Sequence, residues 1–95
     1  MNRVILITSV LDNIIKLLES NNENNWVHAF KIFRKKCDNS NAEDLKLLYG
    51  EIRRIYGGMN SFNDVILCHQ GEYLVKENET LDGFRKELFD ILNDR

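Results

Sequence analysis

Proline is absent from these 95 residues and glycine occurs only 5 times. That excludes a disordered linker rich in those two residues. Cysteine is scarce: Cys37 and Cys68 stand far apart with no C-x-x-C spacing, so a disulfide framework or a paired zinc motif is excluded. Long apolar runs are missing too. Val4 to Ile7 is soon broken by Thr8, Ser9 and Asp12, well short of the roughly 20 apolar residues of a membrane span or of a secretory h-region with its cleavage site. The expectation is a cytoplasmic chain with reduced thiols and no membrane partner. The glycosylation pattern Asn78-Glu79-Thr80 carries no weight without a secretion signal. There is no basic excess: 13 cations face 15 anions, for a net charge of −2 and a pI near 5.6. A general nucleic-acid binder needs the opposite balance to neutralise phosphates. What is present is 43% hydrophobic and 29% charged residues, an ordinary globular mixture sufficient for one core. Residues 1–95 read as a single domain.

The apolar period is helical. Val4, Ile7, Leu11, Ile14 and Leu18 recur at three- and four-residue steps, widened by Val10, Ile15 and Leu17. The β-branched start also suits a strand before a shorter helix, but the unbroken period favours one helix, with Asp12 and Lys16 as an i,i+4 pair. The Asn-rich stretch from Ser20 to Asn25 is a connector with several N-cap candidates. Trp26, Phe30, Phe33 and Cys37 mark a second helix with Lys31, Arg34, Lys35 and Lys36 in its later turns, where cations suit the macrodipole. After a polar break at Asp38 to Asn41, Leu45, Leu48, Ile52 and Ile55 mark a third. Glu43 and Asp44 open it, Arg53 and Arg54 close it, and Gly57 is expected as its left-handed C′ residue. A fourth runs from about Thr80 to Asn93, capped by Thr80 or Asn78, with Leu81, Phe84, Leu88, Ile91 and Leu92 inward and Asp82 paired to Lys86. Residues 62–75 are ambiguous between a short helix and a hairpin. Phe62 to Leu67 is taken as a short helix and Tyr73 to Val75 as extended. The fold class is all-α, a small bundle of four main helices.

Residue chemistry offers few reactive constellations. Ser61, Asp64 and His69 supply the types of a nucleophilic triad but fall within nine residues, without a glycine-flanked elbow. Ser61-x-x-Asp64 reads better as a capping box. His28, Cys37, Cys68 and His69 do not hold a metal-ligand spacing, since nine residues of helix separate the first two by about two and a half turns. No cofactor or metal is expected. Gly57-Gly58 before Ser61 resembles an anion nest, but no lysine follows and no strand precedes, so a helix-terminating turn is preferred. The cations at 31–36 suggest RNA contact at first sight, yet the aromatics of that helix sit at core spacing. A solvated helix end is the simpler reading.

Charge is unevenly spread. Residues 72–95 hold seven acids and four bases, net −3, whereas residues 1–71 hold eight acids and nine bases, net +1. Glu72, Glu77, Glu79, Asp82, Glu87 and Asp90, with Tyr73 among them, therefore form a candidate surface for a basic partner. Tyr49, Tyr56 and Tyr73 are hot-spot candidates by residue type.

Gly57-Gly58-Met59-Asn60-Ser61-Phe62-Asn63-Asp64, followed by Val65-Ile66-Leu67, resembles the signature of a small bacterial family with a Gly-Gly-Met-x-Ser-Phe-Asn-Asp segment. Asn60 stands where that pattern has a small residue. Asn78, Leu81, Arg85, Leu88 and Phe89 match its downstream helix, and Trp26 its upstream tryptophan helix. Such small acidic proteins resemble immunity proteins of bacterial toxin systems, including contact-dependent growth inhibition. The resemblance implies a non-enzymatic inhibitor that binds a cognate toxin domain one-to-one, a basic nuclease-like domain blocked at its active site. The alternative is a small ligand-binding or enzymatic domain using the loop from Gly57 to His69.

Overall fold

Four helices carry the chain, in the order the periodicity indicates: α1 (Arg3–Ser20), α2 (Asn24–Asn39), α3 (Ala42–Arg54) and α4 (Val75–Leu92). A computed structural model describes residues 2–57 and 61–93. Between α3 and α4 lie a single 3₁₀ turn, Phe62–Asp64, and a two-stranded antiparallel hairpin of β1 (Cys68–His69) and β2 (Glu72–Tyr73). The class is all-α. Among the described residues no helix is long and apolar enough to cross a membrane.

The strand alternative for the N-terminal stretch fails because α1 buries a continuous stripe. Ile7, Val10, Leu11, Ile14, Ile15 and Leu18 all lie in the core, and α1 packs against both α2 and α4. The connector behaves differently from expectation. Asn22 takes φ +60°, with Glu23 N–H reaching Leu18 O and Asn22 N–H reaching Glu19 O. Asparagine thus serves as a left-handed C′ residue closing α1, while α2 begins after Glu23 with no side-chain cap. Asn41 does cap α3, accepting from Asp44 N–H at 2.9 Å.

The centre of the core is aromatic. Phe62 is fully buried and meets Phe30 at 4.8 Å, Trp26 at 5.4 Å and Tyr56 at 5.8 Å between ring centroids. Losing a side chain so placed costs about 3–5 kcal/mol. The distinctive segment of the sequence thus supplies the residue that ties the 3₁₀ turn to α2.

Several local expectations are corrected. Asp12 pairs with Arg34 of α2 at 2.9 Å, not with Lys16. Asp82 pairs with Arg85, and Lys86 with Asp90, so the Asp82–Lys86 pair does not form. Gly57 is not left-handed, because α3 ends through Ile55 in helical conformation. Phe62 to Leu67 is one 3₁₀ turn followed by extended chain. Val75 opens α4 five residues before Thr80. Neither Asn78 nor Thr80 caps it, since both lie within the helix, and Thr80 Oγ1 donates to Lys76 O. The α4 C-terminus is closed from outside the helix: Arg3 donates to Ile91 O and Leu92 O, and Arg53 to Leu92 O. Those are the carbonyls a helix end leaves unpaired.

Candidate interaction surface

The hairpin turns on Gln70 and Gly71, with φ of +50° and +81°. Two consecutive positive φ values between paired strands are the pattern of a type I′ turn, which matches the strand twist. Cys68 pairs with Tyr73 and His69 with Glu72. One step further along, Leu74 N–H donates to Leu67 O at 3.1 Å. The reciprocal bond is replaced. The buried side chain of Asn78 accepts from Leu67 N–H at 2.8 Å and donates to Leu74 O at 2.7 Å and Leu67 O at 2.8 Å.

A second clasp holds the segment just upstream. Arg85 of α4 is 9% exposed and donates to Phe62 O at 2.6 Å and Val65 O at 3.1 Å, with Asp82 as its carboxylate partner. Asn63 Nδ2 donates to Tyr56 O, and Tyr56 Oη donates to Arg85 O at 2.8 Å. Burial pushes the Tyr56 phenol well above its usual range, against a smaller opposing pull from the Arg85 charge. Burial likewise raises the Cys37 thiol and the Tyr49 phenol.

These clasps fix which side chains of the hairpin face water. Strand alternation turns Leu67 and Leu74 inward, where they are buried and half-buried. Ile66, Cys68, Tyr73 and Val75 fall on the other face. Ile66 and Tyr73 are each 56% exposed and Val75 57%. A half-buried antiparallel hairpin ordinarily presents polar residues outward. This one presents an apolar face.

The acidic residues expected to form one surface do not share one side. Glu72 and Tyr73 are exposed on the hairpin, and Glu79, Glu87 and Asp90 follow the outer side of α4 by its period. Glu77 and Asp82 fall on opposite flanks. Lys76 and Lys86 interleave on the outer side, and Lys86 reaches Asp90 at 3.4 Å. By strand alternation Glu72 lies on the face opposite Tyr73, and Glu77 and Glu79 lie on different sides of α4, so Glu79, one turn on from Val75, is the acidic residue beside the apolar face. Of the tyrosines, Tyr49 is buried beneath the Arg3 guanidinium at 4.7 Å and Tyr56 is half-buried, which leaves Tyr73.

The loop from Gly57 to His69 does not assemble a triad. Ser61 is buried, Asp64 and His69 are exposed, and no side-chain hydrogen bond joins the three among the described residues. The capping box is also absent: Asp64 N–H bonds to the Ser61 main-chain carbonyl at 3.0 Å, so the amide the box would cap is already paired, and Ser61 Oγ has no partner among the described residues. Gly58 and the nest proposed there lie outside the described residues. The cations of α2 are largely engaged: Lys31 with Glu19 of α1 at 3.0 Å, Arg34 with Asp12 of α1 and with Asp38 one turn on in α2, and Lys36 with Glu51 of α3 at 3.2 Å. Hydrogen bonding to Asp38 is the main cause of the raised Arg34 pKa.

A cleft of about 330 Å³ between α4 and the end of α3 is lined by Tyr56, Asn63, Asp82, Arg85, Lys86 and Phe89. Tyr56 and Phe89 make its apolar wall, edge to face at 5.2 Å.

A family model described as a domain of unknown function (DUF6966) matches residues 19–75, more than half of the chain. The chain belongs to the DUF6966 family. The DUF6966 stretch takes in α2, α3, the aromatic anchor Phe62 and the whole apolar face, ending at Val75. Asn78 and Arg85 lie beyond it. No curated protein and no solved structure matches this chain.

Sequence reasoning missed Ile66 and Val75 as surface residues, and it missed the clasping roles of Asn78 and Arg85. The available signal was alternation through Ile66-Leu67-Cys68 and Tyr73-Leu74-Val75, readable only once the hairpin register is known.

Proposed function

We propose that this chain is a stoichiometric inhibitor, an immunity-type protein that binds a cognate bacterial toxin domain one-to-one in the cytoplasm and occludes its active site without chemistry of its own. The observation that carries this reading is the outward face of the hairpin, where Ile66, Tyr73 and Val75 are more than half exposed. Two buried polar clasps hold that face rigid. Ordering it on binding therefore loses little further entropy, which favours affinity. Tyrosine at the centre of an apolar patch is a common binding hot spot, and a standard interface of roughly 800 Å² per partner extends from it onto α4.

Glu79 beside the patch and Glu72 at the hairpin end suit a basic partner, as a nuclease domain is, and would speed encounter more than they strengthen the final complex. Co-expression with candidate toxin domains, the product of the adjoining gene first, tests the proposal. The expected result is rescue of growth and a one-to-one complex on gel filtration, both lost with Tyr73→Ala in a chain that remains folded. A toxin that stays active beside abundant folded protein would falsify the reading.

A further inference from the structure

A smaller opening lies next to the exposed apolar face. Trp26 of α2, Ser61, Asp64 and Val65 line a cleft of about 180 Å³, and Val65 directly precedes Ile66. Drug-sized ligands need roughly 300 Å³ or more, so this cleft admits no more than the end of a side chain. Three groups at its border ask for the same chemistry. Trp26 is half-buried, with its ring packed on Phe62, and indole is the best aromatic surface for a cation. The Asp64 carboxylate is exposed and forms no ion pair among the described residues. Ser61 is 7% exposed, and its hydroxyl is buried with no hydrogen-bond partner among the described residues, an unfavourable state that an incoming donor relieves. Arg85, whose guanidinium lies over the Phe62 ring at 5.5 Å, is committed to Phe62 O, Val65 O and Asp82.

We infer that this cleft seats one basic side chain, a lysine or arginine, of the protein partner. Its charged end lies against Trp26, faces Asp64 and gives one N–H to Ser61 Oγ. The inference rests on the inhibitor reading for the partner's identity and deepens it, since a basic toxin domain would supply the side chain.

Trp26 is the sole tryptophan, so its fluorescence reads the cleft directly. The full chain is titrated with n-butylammonium, n-butylguanidinium and uncharged n-butanol at constant ionic strength. A saturable change with either cation and none with the alcohol is expected. Asp64→Asn should weaken cation binding about fivefold, and Ser61→Ala about threefold, with neither variant unfolding earlier in urea. Equal responses to butanol and butylammonium, or an Asp64→Asn titration that matches the parent, would overturn the site. The two readings fail separately. Cation binding without any toxin complex keeps the cleft and removes the inhibitor, whereas a toxin complex indifferent to Asp64→Asn removes the cleft and keeps the inhibitor.

Discussion

The side-chain amide of Asn78 lies against the backbone of Leu67 like a missing strand partner, accepting from its N–H and donating to its carbonyl, each at 2.8 Å. Eleven residues separate them, and the pair joins the first turns of α4 to the hairpin. An asparagine 2% exposed is tolerated there because its donors and its acceptor are matched. Asn78→Leu fits the volume but strands Leu67 N–H, whereas Leu74 O keeps the main-chain N–H of residue 78 at 2.9 Å. The expected loss is about 1–3 kcal/mol, the cost of one orphaned group, read as a lower urea midpoint with an unchanged m-value.

Arg85 makes the corresponding clasp on the 3₁₀ turn. Its planar fork reaches Phe62 O and Val65 O from a single nitrogen while the other meets Asp82. Lysine carries the charge but not the fork. Arg85→Lys should therefore destabilise by about 1–2 kcal/mol, and Arg85→Met by about 2–3, since it leaves Val65 O unpaired and Phe62 O with only the Val65 N–H at 3.3 Å. Amide exchange should rise first in residues 61–67, while the amides of α1 keep their protection. Uniform loss of protection across the chain would show that the clasp is not local.

Helices of this chain are legible because each buries a stripe that repeats every three or four residues, as Ile7, Leu11, Ile14 and Leu18 do. Helix ends were read less well. Asn22 was indistinguishable by type from an N-cap, and only its φ of +60° shows it closing α1. The start of α4 was hidden because Val75 to Glu79 carries one apolar residue and no capping side chain. Asn78 looked like a cap because asparagine usually is one, and its true partner lies across the hairpin. The candidate surface was half visible. Glu72 stands out by charge and Tyr73 by residue type, but Ile66 and Val75 do not, since their exposure depends on a register that sequence alone leaves open.

The turn between the strands tolerates Gln70 at φ +50° beside Gly71 at +81°. Glutamine has no special ease in that region, whereas asparagine does. Gln70→Asn should stabilise by about 0.5 kcal/mol. Gly71→Ala should cost about 1 kcal/mol for the backbone alone, because an added Cβ meets nothing within 4 Å. Thermal unfolding of the two variants separates these signs.

Tyr56 makes stability fall at alkaline pH. Burial raises its folded-state pKa above the unfolded value of about 10, so the neutral phenol is the form that folding favours. Its contribution is fully present below pH 10 and is lost as pH rises towards the folded pKa. Tyr56→Phe loses the hydrogen bond to Arg85 O, about 1 kcal/mol at pH 7, and should flatten the decline measured by urea unfolding between pH 9 and 11. A residual slope is expected from Tyr49, whose phenol is raised by burial as well. An unchanged slope would mean that Tyr56 ionises freely in the folded protein.

Ile66 and Tyr73 should separate binding from folding. Both are 56% exposed, so Ile66→Asp and Tyr73→Ala remove little packing and should shift stability by less than about 0.5 kcal/mol. A central tyrosine at a protein interface contributes about 2 kcal/mol or more, and a new carboxylate in the apolar patch must be desolvated to dock. Each variant should therefore weaken the toxin complex at least about thirtyfold, mainly through faster dissociation. Glu72→Lys at the hairpin end and Glu79→Lys beside the patch should instead slow association and reduce its salt dependence. If Tyr73→Ala binds as the parent does while Glu87→Lys on the outer side of α4 abolishes binding, the interface lies along the helix and the apolar face is only its neighbour.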